Sequence, residues 1–465
     1  MLILFVILYL CGTLALGFWA GRRVHNVADF ALAGRNLPLF LATSATFATW
    51  FGTETVMGAS SEFAQHGLLG VIEDPFGAAL CLVLVGVFVA KPLYKLQLIT
   101  FSDYFRIRFG KSAEVMGAVF MVPSYFGWVA AQFLAIGILL NQLIPALPMM
   151  AGLWIGAALV IGYTYVGGMW AISITDFVQT VVIIGGLLLV AIFMASQVPP
   201  GEVVAAQPEG FFQFFPERGW MSWVHYIAAW MTIGLGSVPQ QDVFQRVMAA
   251  KNEKTAIRST FLAAGMYLTV AALPLFIGLA AKVLHPDLMD DDVQDLIPNM
   301  VFQYSNLPIQ VLFFGALISA ILSTASGAVL APATVVGENL IKPLYGQLSD
   351  AAQLKILRIS VVGVALASAA MASFRGNIYE LVGESSALSL VSLFVPLLGG
   401  LYWKRASTAG CVASMTVGMA AWLVAMWMDT EFPPMLIGFG ASILAMLVGS
   451  LMEFPRRKRA ESEAT

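Results

Sequence analysis

Ser323 and Thr324 place two hydroxyls side by side in the stretch from Val311 to Val336, which carries no charged residue. Oxygen donors of this kind suit a small hard cation. Ser and Thr are common in membrane helices, where they often bond back to their own helix, so the pair takes its meaning from a second feature. Residues 48–54 read Ala-Thr-Trp-Phe-Gly-Thr-Glu and interrupt another apolar stretch; Gly234, Gly236 and Pro239 interrupt a third. Broken helices expose backbone carbonyls, and beside an intact helix they form ion sites at mid-membrane depth. The same interruptions bring polar side chains to that depth. Glu54 follows the first break by half a turn, and Gln240 and Gln241 follow the second. Two roles are open to Glu54, contact with a solute amine or a bond to a neighbouring helix that holds the break. Ionisable groups at such depth are costly and tend to be functional. Glu73 and Asp74 read as the outer end of a span, facing water, and Glu380 and Glu384 as lining an outer vestibule. Trp50 and Trp128 are either packing residues or aromatic walls for a solute.

These residues need elements to hold them. With 59% hydrophobic and 11% charged residues among 465, the chain has more apolar surface than a soluble domain of this length buries, so it is a polytopic membrane protein. Thirteen apolar spans are expected, near 2–20, 37–66, 71–94, 112–142, 147–166, 171–195, 221–248, 256–284, 307–341, 353–374, 378–402, 407–428 and 435–454. The two interrupted spans lie five apart, the mark of inverted five-helix repeats around a midplane site. With the N-terminus outside, 21 of the 24 basic residues fall in inner loops or the tail, leaving only Arg218, Lys282 and Arg375 outside. The outer loops are acidic, as at Asp290-Asp291-Asp292. The first span lacks the preceding positive charge of a signal peptide, since Arg22 and Arg23 follow it. The segment from Thr100 to Arg106 is amphipathic and is expected along the inner interface, the aromatic run from Phe211 to Phe215 as an outer cap, and residues 456–465 as a disordered tail.

Several classes are excluded. There is no nucleotide-binding loop to couple ATP, no basic stripe for nucleic acid and no Ser/His/Asp arrangement, so no enzymatic activity is expected. The three cysteines lie in separate apolar spans, and the four histidines show no metal-ligand spacing. Oligomeric state leaves no mark on the sequence.

Longer motifs carry a resemblance. Gly34-Arg35-Asn36-Leu37, Gly167-Gly168-Met169-Trp170, Thr175-Asp176-Phe177-Val178-Gln179, Phe244-Gln245-Arg246-Val247, the Ser323-Thr324 pair and Gly400-Leu401-Tyr402-Trp403-Lys404-Arg405 resemble the sodium/solute symporter family. Its members carry proline, pantothenate, sugars, sialic acid and choline. The resemblance covers essentially the whole chain. It implies an all-α, leucine-transporter-like fold with an extra N-terminal helix and loop (1–36), a ten-helix core (37–402), two trailing helices (403–454) and a cytoplasmic tail (455–465). It also implies a sodium site formed by the carbonyls of Ala48, Phe51 and Ala320 and the hydroxyls of Ser323 and Thr324. Asp176 matches an acidic residue on the ion exit path. Trp50 and Trp128 resemble positions where the choline branch presents rings to a quaternary ammonium. Gln240 stands where that branch has a third tryptophan, and Ser326 where it has an aspartate. The proline branch has an acidic residue at the position of Trp50, and the sugar branch's gating tyrosine falls at Gly236.

The expected activity is therefore sodium-coupled symport of a small organic solute, an amino acid such as proline or a betaine-like or quaternary ammonium compound. It would act by alternating access across the cell membrane, with Trp50, Glu54, Trp128, Gln240 and Gln241 lining the solute site. The alternatives are proton coupling on the same scaffold, which Glu54 or Asp176 could serve, and a membrane solute sensor.

Overall fold

The computed structural model describes residues 1–290, 292–346, 348–374, 377–428 and 430–463, with side chains as far as Glu453. Asp291, Arg375 and the side chains of the basic run 456–459 lie outside the described residues. Among those described, the secondary structure is helical apart from one isolated parallel bridge between Leu37 and Ala250. That is the expected solution for an apolar chain in lipid, where every backbone N–H and C=O must be paired internally.

Among the described residues, ten helical stretches are long and apolar enough to cross a membrane. Helix α1 (Leu2–Gly21) comes first. The first interrupted span consists of α2 (Leu39–Trp50), a break at Phe51 with φ −90° and ψ 76°, a wide turn at Glu54–Gly58, and α3 (Ala59–His66). Then come α4 (Phe126–Leu143) and the 49-residue α5 (Met149–Gln197). At about 1.5 Å per residue α5 is roughly twice the hydrocarbon thickness. It is split at Gly168, whose φ of 48° and ψ of −147° leave helical space. That left-handed φ favours glycine, and a Cβ there would also press on the Phe30 ring (Cγ 2.9 Å). The second interrupted span is α6 (Trp220–Gly236), a break through Val238, Pro239 and Gln240, and α7 (Gln241–Ala249). Helices α8 (Glu253–Leu284), α9 (Leu307–Val335), α10 (Ile378–Ser389), α11 (Thr408–Trp427) and α12 (Pro434–Glu463) complete the frame used below. Among the described residues, the ten stretches become thirteen segments when Glu54–Tyr94 is divided at Gly67, α5 is divided at Gly168, and the shorter apolar span of α6 and α7 is added.

The broken helix α2 packs against α5, α8 and α9, while α10 lies against α4 and α6. Helix α1 sits outside this group on α5 and α9, and α11 and α12 pair with each other and lean on Leu390–Phe394. Two expectations need correction. The inner amphipathic helix, Phe101–Phe109, is capped by reciprocal bonds between Thr100 and Asp103, but its aromatic face meets protein rather than lipid. Phe101, Tyr104, Phe105 and Phe109 are buried, and the Phe101 N–H donates to Gln241 Oε1 at 2.6 Å. The tail expected to be disordered continues α12 as a helix as far as Glu463.

Candidate functional site

The break after Trp50 frees backbone groups, and tertiary side chains meet them. Ser323 Oγ donates to the Ala48 carbonyl at 2.6 Å and to the Ala320 carbonyl at 3.1 Å; Thr324 Oγ1 lies 3.2 Å from the Ala48 carbonyl. Four neutral oxygens from α2 and α9 thus gather at one fully buried point. Phe51, the fifth residue of the expected set, is the break itself. A neutral, all-oxygen donor set fits a monovalent hard cation, and no cluster of His, Cys, Asp or Glu suited to another metal occurs among the described residues. Further along the break, Tyr267 donates to the Trp50 carbonyl at 2.8 Å and the Thr53 N–H donates to Gln132 Oε1 at 3.2 Å.

Beside this point lies a small cavity lined by Trp50, Glu54, Asp74, Trp128, Gln240 and Tyr267, with Ser385 and Ser386 on its α10 side. Its free volume of about 20 Å³ is room for roughly one water, so a solute enters only when the surrounding helices part. Trp50 and Trp128 meet edge to face at 6.4 Å, and Tyr125 stacks beneath Trp128 at 6.1 Å. Glu54 Oε1 accepts from Trp128 Nε1 at 3.0 Å, and Oε2 accepts from Gln132 Nε2 at 2.8 Å. The carboxylate thus ties α4 to the break, the second of its two anticipated roles, and it also lines the cavity. Asp74 also lines the cavity and is fully buried, its Oδ2 accepting from Thr55 at 2.7 Å. This corrects the expectation that it faces water. Glu73 is half-buried and takes a bond from Thr232, beside the vestibule that Glu380 and Glu384 line.

Of the five expected solute contacts, the structure brings Trp50, Glu54, Trp128 and Gln240 to the cavity and turns Gln241 away. The Gln241 amide is spent on the chain below, accepting from Phe101 and donating to the Ile99 carbonyl at 3.3 Å. Asp176 is buried on α5 with neither oxygen hydrogen-bonded, within electrostatic reach of Arg246 and Tyr163. Arg246 itself is buried and donates to Thr49 Oγ1 at 2.6 Å, which links α7 to α2. Asp242 was not singled out from the sequence, yet it joins the two breaks. Its Oδ2 accepts from Trp50 Nε1 at 2.7 Å and its Oδ1 from the Tyr125 hydroxyl at 2.6 Å. The available signal was a carboxylate within an interrupted apolar span.

The family model of the sodium:solute symporter family matches residues 30–418. The chain belongs to that family. It is 29% identical over 434 residues to the high-affinity choline transporter 1 of Drosophila melanogaster, covering 89% of this chain and 69% of that one. It is 28% identical over 464 residues to the high-affinity proline transporter PutP of Bacillus subtilis, covering 94% and 95%. A sodium-coupled sialic acid symporter in a substrate-bound, outward-open state superposes with a TM-score of 0.84 at 19% identity, over 97% of this chain and 98% of that one. The fold is leucine-transporter-like, as expected. The protein is a multi-pass membrane symporter that couples sodium to a small solute.

Proposed function

We propose that sodium binds among Ala48, Phe51, Ala320, Ser323 and Thr324, and that the cavity lined by Trp50, Glu54, Trp128 and Gln240 takes a small organic solute carried inward across the cell membrane. The observation that carries this reading is the convergence of the Ser323 and Thr324 hydroxyls on the Ala48 carbonyl at the first break, two residues before Trp50. An ion drawn to those oxygens favours the arrangement of α2 that also presents Trp50 and Glu54 to the solute, so the two ligands stabilise one conformation. Each inward sodium releases roughly 2.3 kcal/mol per 100 mV, and a tenfold sodium gradient adds about 1.4 kcal/mol. Together these sustain a solute ratio on the order of several hundred. Asp176, on the part of α5 that lies beside the start of α2, receives the ion as it leaves. Two aromatic faces with amide and carboxylate edges suit a solute with an apolar or cationic part; a sugar would leave most of its hydroxyls unpaired.

The test is uptake by the purified protein in liposomes with sodium and proton gradients imposed separately. Accumulation of a labelled solute on the sodium gradient alone is expected. Accumulation on the proton gradient alone would replace sodium with protons.

A further inference from the structure

Taking the cavity as the solute site, we propose that its solute is a small organic cation bearing N–H donors, a primary amine or guanidinium compound without a free carboxylate, gripped between Asp74 and Glu54. Both carboxylates line the cavity and are at least 97% buried. No Lys, Arg or His lines it, and among the described residues neither acid has a basic partner within ion-pair distance. A buried acid left without a counter-charge is costly, and a cation between the two removes that cost. Asp74 Oδ1 is buried and accepts no hydrogen bond. A quaternary ammonium has no N–H to give it; an ammonium or guanidinium group does. Each Glu54 oxygen takes one donor from the protein, which leaves capacity for a second.

The half-helix ends argue the same way. In this architecture the N-terminal ends of interrupted helices attract anionic groups of a solute, through free N–H groups and the helix dipole. Here each such end already holds a carboxylate of the chain itself. Glu54 stands in the first turn after the first break, and Asp242 in the first turn of α7 after the second. A solute carboxylate would meet like charge at both. A second, open cavity of about 310 Å³ on the other face of α10 is lined by Glu73, Glu380 and Glu384, and carboxylates gathered there raise the local concentration of a cationic solute. The rings of Trp50, Trp128 and Tyr267 then supply apolar and cation–π contact for the rest of the molecule.

The experiment uses the full-length protein in liposomes with an inward sodium gradient. Labelled agmatine, putrescine and tyramine are compared with choline, proline and glycine betaine. At least one amine or guanidinium probe is expected to accumulate, with a half-saturating concentration at least tenfold below those of the other three. Asp74→Asn should raise that concentration at least tenfold. The same variant should keep the thermal stabilisation that sodium gives without solute, which reads the ion site and the fold independently. Should Asp74→Asn fail to fold, the selectivity of the unaltered protein decides. Preference for proline, glycine betaine or choline would overturn the proposal while leaving sodium symport intact. So would the failure of every amine and guanidinium probe either to accumulate or to raise the melting temperature in sodium. Amine accumulation on a proton gradient without sodium would keep the solute class and remove sodium as the coupling ion.

Discussion

Thr324 and Ser323 do separate things for one cation. Ser323 Oγ already bridges two carbonyls, Ala48 and Ala320, whereas Thr324 Oγ1 lies on the side of Gly52 and Glu54. Thr324→Ala deletes one oxygen at a depth where water is scarce. It should raise the half-saturating sodium concentration at least tenfold, as loss of about 1.4 kcal/mol or more implies, while solute affinity at saturating sodium changes less. Sodium titration of solute binding measures both, and an unchanged sodium midpoint in the double alanine variant would remove the site from this pair. These hydroxyls were legible in the sequence because a polar pair within an uncharged stretch stands out. Asp74 and Asp242 were not legible in the same way. Whether a carboxylate near a span's end faces water or a cavity depends on the partners that Thr55, Tyr125 and Trp50 provide, and those lie on other helices. Gln241 misled for the converse reason: Gln240 is extended and lines the cavity, whereas Gln241 is the first residue of α7 and its amide meets Phe101 and Ile99 instead.

The elements were more legible than the contacts. Glycine and proline mark the three departures from helix that shape the site and α5, at Gly52, Gly168 and Gly234 to Pro239, because lipid tolerates an interrupted backbone only where protein re-satisfies it. Gly52 also permits a close approach: a Cβ there would lie 2.7 Å from Thr324 Oγ1 and 2.9 Å from its methyl group, and against the Glu54 carboxylate. Gly52→Ala should therefore push α9 or Glu54 out of place. We expect a loss of about 1–3 kcal/mol of stability, together with a weakened response to sodium. Gly12→Ala on α1, where nothing lies within 4 Å, serves as the control and should leave both unchanged. Thermal melting with and without sodium separates the outcomes, and equal behaviour of the two variants would show that the break tolerates a side chain. The amphipathic helix Phe101–Phe109 shows the limit at this scale. Its periodicity announces an apolar face, but a pattern of rings is the same whether lipid or protein covers it, and only the packing against Phe244 and Gln241 decides.

At the scale of the whole molecule, several contacts between connecting segments fall into two sets. On one face Leu37 pairs with Ala250, Tyr94 donates to the Ala250 carbonyl, Arg35 to the carbonyls of Gln97 and Leu98, Arg108 to those of Gly400 and Trp403, and Thr408 to that of Phe109. On the other, the Leu68 N–H donates to the Phe211 carbonyl, Lys282 to that of Ala64, Tyr379 to that of Gly70, and the Ile378 N–H to Gln294. An error of one span in the sequence reading would have put one of these loops on the wrong face. Most lysines and arginines of the connecting segments lie in the loops expected on this first face, and the positive-inside rule predicts that the face is cytoplasmic. The prediction is an outside N-terminus. In intact cells expressing a variant without Cys11, Cys81 and Cys411, a cysteine at Glu202, which is exposed beside the aromatic cap, should react with an impermeant thiol reagent. A cysteine at Lys251, equally exposed beside the Leu37–Ala250 bridge, should react only after the cells are opened. Reversed labelling would invert the whole molecule, turning the acidic vestibule of Glu73, Glu380 and Glu384 toward the cytoplasm and making the path into the cavity an exit for cations instead of an entrance.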